Sequence, residues 1–115
     1  MTVNDIVHQL GLTVFGGEKG LDREITGGYV SDLLSDVMGN ASEGDVWITL
    51  QTHKNVMAVA SLKEVAAVVL VKGLKPDHDT LAQSNEEDIP LLGTELEAFD
   101  VAGKLYALIN KNEPI

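Results

Sequence analysis

The chain has no cysteine among its 115 residues. Disulfides, thiolate nucleophiles, zinc–thiolate sites and cysteine-held iron–sulfur clusters are therefore excluded. The absence fits a reducing compartment, and a cytoplasmic location is expected. Basic residues are scarce as well. Eight Lys and Arg face 18 Asp and Glu, for a net charge of −10. A surface of that sign repels nucleic-acid phosphates and anionic lipid heads, so neither is an expected partner. Lys72 and Lys75 are the nearest approach to a basic cluster. Long apolar runs are missing too: the longest, Val65 to Val71, is far short of a membrane span. The opening residues Met1-Thr2-Val3-Asn4-Asp5 have no basic stretch followed by an apolar one, so no signal peptide is expected.

What remains is enough for one folded domain. Hydrophobic residues make up 44% and charged residues 23%, which supplies apolar surface to offset the ordering entropy. Residues 1–110 are expected to form the domain and 111–115 a polar tail.

Pattern and punctuation predict the elements. Thr2 caps a helix to Leu10, with Asp5 in its first turn and Gly11 as its stop. Leu12 to Phe15 reads as a short strand, followed by a glycine-rich turn over 16–20. An extended segment over 21–30 is broken by Gly27-Gly28. Ser31 to Met38 reads as a helix capped by Ser31, with Leu33, Leu34, Val37 and Met38 inward. Val46 to Leu50 is a strand and Asn55 to Leu62 a helix. Val65 to Val71, apolar on both faces, reads as a central parallel strand. A short helix over 77–83 is capped by Asp77, and Glu86-Glu87-Asp88 reads as a solvated loop. Ile89 to Leu92 is a strand starting after Pro90. Thr94-Glu95-Leu96-Glu97 reads as a capping box opening a helix to Ile109. The alternation predicts an α/β fold: a single domain with a largely parallel, mixed sheet flanked by helices. The direction of the first strand is open.

In such sheets, ligands bind at the carboxyl ends of strands. Four candidate ends are Gly27-Gly28, Thr52-His53-Lys54-Asn55, Lys72-Gly73 and Gly93-Thr94. Each sets glycine or polar residues before a helix, where an anion is favoured. The candidate ligand residues are Gly27, Gly28, His53, Lys54, Lys72, Gly73 and Thr94. His53 has the chemistry of a general acid or base, but no nucleophile or orienting carboxylate can be assigned to it. His8 reads as a surface residue. Asp77-His78-Asp79 is a poor metal site, because adjacent residues seldom point at one ion. No metal or cofactor is expected. Gly103-Lys104 lies in a helix and lacks the rest of a Walker motif, and no other nucleotide or hydrolase motif is present.

Asp22-Arg23-Glu24-Ile25-Thr26-Gly27-Gly28 resembles the signature of the DRTGG domain family. Asp22, Arg23, Thr26, Gly27 and Gly28 carry it, with two residues between the Asp-Arg pair and Thr-Gly-Gly. The Glu43-Gly44-Asp45 turn, the strand ending in Lys72-Gly73-Leu74-Lys75-Pro76, and Ile89-Pro90-Leu91-Leu92 resemble the family layout downstream. The resemblance implies a domain similar to the N-terminal domains of HPr kinase/phosphorylase and of the muramyl ligases. It also implies a regulatory, dimer-forming role, with catalysis left to neighbouring domains. The leading expectation is a non-enzymatic, homodimeric regulatory module sensing a small anionic metabolite or nucleotide. The alternative is an interaction subunit docking on a larger enzyme, with no small-molecule site. A small transferase or hydrolase using His53 ranks last.

Overall fold

The apolar run 65–71 sits at the middle of a sheet, as its two-faced hydrophobicity demands. The computed structural model describes residues 1–111. Its strands are β1 (Thr13–Gly16), β2 (Gly27–Val30), β3 (Asp45–Thr49), β4 (Ala67–Leu70) and β5 (Leu91–Gly93). Its helices are α1 (Val3–Leu10), α2 (Leu34–Asn40), α3 (Asn55–Lys63), α4 (His78–Glu87) and α5 (Ala98–Ile109), with a 3-10 turn at Glu18–Gly20. The strand order is β1-β5-β4-β3-β2. Strands β2 to β5 run parallel, and β1 pairs antiparallel with β5 through Thr13↔Gly93 and Val14↔Leu92. The mixed α/β architecture expected from the sequence is present, and β1 is its antiparallel member.

Strands β3, β4 and β5 each lie beside their predecessor in sequence. Right-handed crossovers then place α2, α3 and α4 on one face. The packing agrees. Trp47, Val68, Leu70 and Leu91 meet Val37 of α2 and Val56 of α3. The alternate residues Val46, Ile48, Val69 and Leu92 meet Val3 and Ile6 of α1 and Val101 and Leu105 of α5. Trp47 is fully buried, and its indole Nε1 donates to the Ser31 carbonyl at 2.9 Å. Truncating a side chain of that size to alanine costs about 3–5 kcal/mol. No helix among the described residues is long and apolar enough to cross a membrane.

Helix α1 carries the expected cap. Thr2 Oγ1 accepts from the Asp5 amide, and the Thr2 amide donates to Asp5 Oδ2 at 2.8 Å. That amide bond holds the Asp5 carboxyl below its ordinary value of 3.8.

Four local expectations need correction. Gly27-Gly28 does not break the strand; it begins β2. Helix α2 starts at Leu34 because the backbone stays extended through Ser31, whose amide donates to the Ile48 carbonyl. Leu33 and Met38 are consequently exposed rather than inward. Helix α5 starts at Ala98, with Glu97 extended at the N-cap position and making no side-chain cap bond, because the Leu96 carbonyl accepts from the Lys72 amide instead of starting the helix. Helix α4 runs on through Glu86 and Glu87, closed by Asp88 at φ 54°. Residues 112–115 of the expected tail lie outside the described residues.

Candidate functional site

The residues singled out by sequence fall at opposite ends of the parallel sheet. At the amino end, residues 17–26 form a strap from β1 to β2 beneath the strands. Gly17 takes φ 71°, and a Cβ there would run into the Ile89 carbonyl. Its amide donates to Asn85 Oδ1 at 2.8 Å. Arg23 Nε donates to the Asp88 carbonyl at 3.2 Å, and the Arg23 carbonyl accepts from the Val3 amide at 2.9 Å. Thr26 Oγ1 donates to the Glu43 carbonyl at 2.8 Å, and its amide to the Gly44 carbonyl at 3.0 Å. Arg23 and Thr26 thereby tie the strap to the loops before β5 and β3. Asp22 is exposed and makes no ion pair with Arg23.

The glycine pair serves packing. Gly27 stands opposite Asp45, and a Cβ there would lie 2.9 Å from Asp45 Oδ1. The other oxygen of that buried carboxylate accepts from the Ser42 amide at 2.8 Å. A Cβ on Gly28 would approach Leu105 Cδ2 to 3.3 Å, so the missing side chain lets α5 close onto β2. A hollow of about 460 Å³ below the sheet is lined by Arg23, Glu24, Glu43 and Glu64. Three carboxylates against one guanidinium make it a poor seat for an anion.

At the carboxyl end, the exits of β3, β4 and β5 meet. The Thr52 carbonyl accepts from Thr80 Oγ1 at 2.7 Å and from the Asp77 amide at 3.1 Å, pinning the β3–α3 loop to the start of α4. His53 Nδ1 lies 3.1 Å from Asp77 Oδ2. Asp77 is the carboxylate partner that the sequence did not supply. Read locally it is a helix cap, but its side chain makes no cap bond. Lys72 and Gly73 are both left-handed, at φ 60° and 72°. Their amides donate to the Leu96 and Thr94 carbonyls at 2.8 and 2.9 Å, and the Thr94 amide donates to the Leu70 carbonyl at 3.0 Å. The Glu95 carboxylate occupies the space a Gly73 side chain would fill. Thr94 Oγ1 accepts from the Leu96 amide at 3.1 Å instead of capping α5.

The backbone amides of the β4 and β5 exits are thus already used, and no phosphate cradle of free N–H groups is built there. The cationic side chains are what remain. Lys54 opens α3, whose first turn has no side-chain cap, and Lys72 leaves the adjacent strand β4. Both are exposed, and neither is ion-paired among the described residues. Lys75 leans over the Phe15 ring, 5.6 Å from its centroid. Three of the eight Lys and Arg residues therefore collect at this end. His53, Lys54, Lys72, Gly73 and Thr94 are brought to one end; Gly27 and Gly28 are not. The His53–Asp77 pair is open to solvent, with side chains 71% and 51% exposed, which is poor shelter for proton transfer. No group of three or more His, Asp or Glu side chains among the described residues is placed to hold a metal ion.

No protein-family profile and no curated protein sequence matches the chain. The fold is similar to the crystal structure of the CBS and DRTGG domains of the regulatory region of Clostridium perfringens pyrophosphatase, complexed with an activator, diadenosine tetraphosphate. The TM-score is 0.70 at 17% sequence identity, covering 90% of this chain and 45% of that one. The chain thus spans less than half the length of the protein it resembles. Likeness at this identity establishes architecture, and at that level the expected DRTGG-like fold is borne out.

Proposed function

We propose that the chain is a non-catalytic regulatory module that acts as a homodimer in the cytoplasm. It senses a small anionic metabolite of the nucleotide class at the carboxyl end of its sheet. The observation that carries this reading is the placement of Lys54 and Lys72. They are unpaired cations at the exits of neighbouring parallel strands, on a protein whose net charge is −10. On so acidic a surface, a local cationic lip attracts phosphate groups that the rest of the molecule repels. His53 adds a hydrogen-bonding ring at the same lip. The pyrophosphatase regulatory region of similar fold, complexed with a nucleotide activator, supports the class of ligand.

Thermal unfolding against adenine and guanine nucleotides, diadenosine tetraphosphate, nucleotide sugars, acyl phosphates and phosphorylated sugars tests the reading. A ligand that binds only the folded state, at a hundred times its dissociation constant, adds about 2.7 kcal/mol and raises Tm by several degrees. A saturable shift from nucleotides, lost in a Lys54→Ala/Lys72→Ala variant, is the expected result. A flat response across the panel overturns the reading.

A further inference from the structure

The outer face of α5 is apolar and uncovered. Phe99 is 88% exposed and Tyr106 57%, the largest aromatic exposure on the described surface. Between them lies Gly103, with no atom within 4 Å of where its Cβ would stand. Phe99, Gly103, Tyr106 and Asn110 recur at spacings of four, three and four, which is one stripe of a helix. On the flank of the stripe nearer β2, a groove of about 350 Å³ runs past Gly28, Val30, Leu105 and Tyr106, and Val30 is 51% exposed. On the other flank stand Asp100 and Lys104. Glu97 and Asp100 stand at the start of the helix, Lys104 at its middle, and Lys111 two residues beyond its last residue, Ile109.

That pattern is its own complement. A two-fold axis normal to two antiparallel α5 helices crossing at Gly103 sets like flanks against each other with their direction reversed. With about 1.5 Å of rise per residue, Phe99 then falls one residue step from the partner's Tyr106. Asp100 falls two steps from the partner's Lys104 on the flank away from the groove. Glycine at the crossing lets the helix axes approach, and the two aromatic pairs fill the space on either side of it. A foreign partner would not require the two aromatics and the Asp100–Lys104 pair to stand nearly evenly about the middle of the helix. We infer that α5 is the homodimer interface, in an isologous antiparallel pairing centred on Gly103. The inference rests on the homodimer part of the function proposed above and is independent of the ligand part.

Sedimentation equilibrium of the full chain across the micromolar range tests it. The wild type is expected to be dimeric. Phe99→Glu changes a solvent-exposed side chain, so the fold should persist by circular dichroism. It buries two carboxylates per dimer and weakens association at least about 100-fold. Asp100→Lys sets like charges together twice and weakens association about 5- to 10-fold. The double variant Asp100→Lys/Lys104→Asp restores the pair and returns the dissociation constant to near the wild-type value. A wild type that stays monomeric overturns the inference, as does a Phe99→Glu protein as dimeric as the wild type. A double variant as weak as the single one overturns the antiparallel register. The nucleotide-induced Tm shift, read on the monomeric Phe99→Glu protein, reports on the ligand reading separately.

Discussion

The two ends of the parallel sheet use their polar residues in opposite ways. At the amino end, the motif residues Arg23 and Thr26 reach backbone carbonyls, while Gly27 and Gly28 make room for Asp45 and Leu105. At the carboxyl end, backbone amides and carbonyls bond one another, and the Lys54 and Lys72 side chains are left over. The most recognisable stretch of sequence is therefore accounted for by closure of the fold. The residues available for a ligand lie outside the Asp22–Gly28 signature, in the loops that follow β3 and β4. A signature can mark how a chain closes its sheet as readily as what it binds.

Substitutions at the two ends should separate stability from binding. The largest effect is expected from Gly17→Ala, which combines a left-handed backbone with a collision on the Ile89 carbonyl. A loss on the order of 3 kcal/mol in urea unfolding would confirm the strap as structural, and a loss within a few tenths would break the comparison. Thr26→Val removes the hydroxyl bond to the Glu43 carbonyl and should cost about 1 kcal/mol, with any nucleotide-induced Tm shift kept. At the other end, Lys54→Ala and Lys72→Ala should each change stability by less than about 0.5 kcal/mol while reducing that shift. The reverse assignment, with the shift lost in Thr26→Val and kept in the lysine variants, would exchange the roles of the two ends.

The smallest effect concerns acid. The Asp5 carboxyl is held below 3.8 by the Thr2 amide, so the folded state binds its proton less readily than the unfolded chain. The stability contributed by that bond is complete above 3.8 and is lost as pH falls through the lower folded-state value. Asp5→Asn should therefore be less stable than the wild type at neutral pH, with the gap closing under acid. A gap that stays constant from neutral to acid pH in paired urea titrations would contradict this origin.

The parts of the fold legible from sequence are those where one local reason suffices. The run over 65–71 had to be buried on both faces, and Thr2 with Asp5 forms the capping box its spacing permits. Expectations failed where a distant strand competed for the same backbone. Ser31 and Thr94 are good helix caps by type, yet their hydroxyls accept from the amides two residues on, Leu33 and Leu96. In each case a distant segment claims the backbone: the Ser31 amide is bonded to β3, and the Leu96 carbonyl to the exit of β4. Gly27-Gly28 reads as a break in the extended segment because glycine weakens a strand. Its justification is Asp45 on β3 and Leu105 on α5, neither of which is near it in sequence. The same holds for His53 and Asp77, which meet only because the Thr52 carbonyl anchors the start of α4.

Amide chemical-shift mapping of the labelled chain during titration with diadenosine tetraphosphate tests the central claim most directly. The account expects saturable shifts concentrated on Thr52 to Asn55 and on Lys72 and Gly73, with Asp22 to Gly28 unmoved. Shifts confined to Asp22 to Gly28, or none anywhere at saturating concentration, would contradict it.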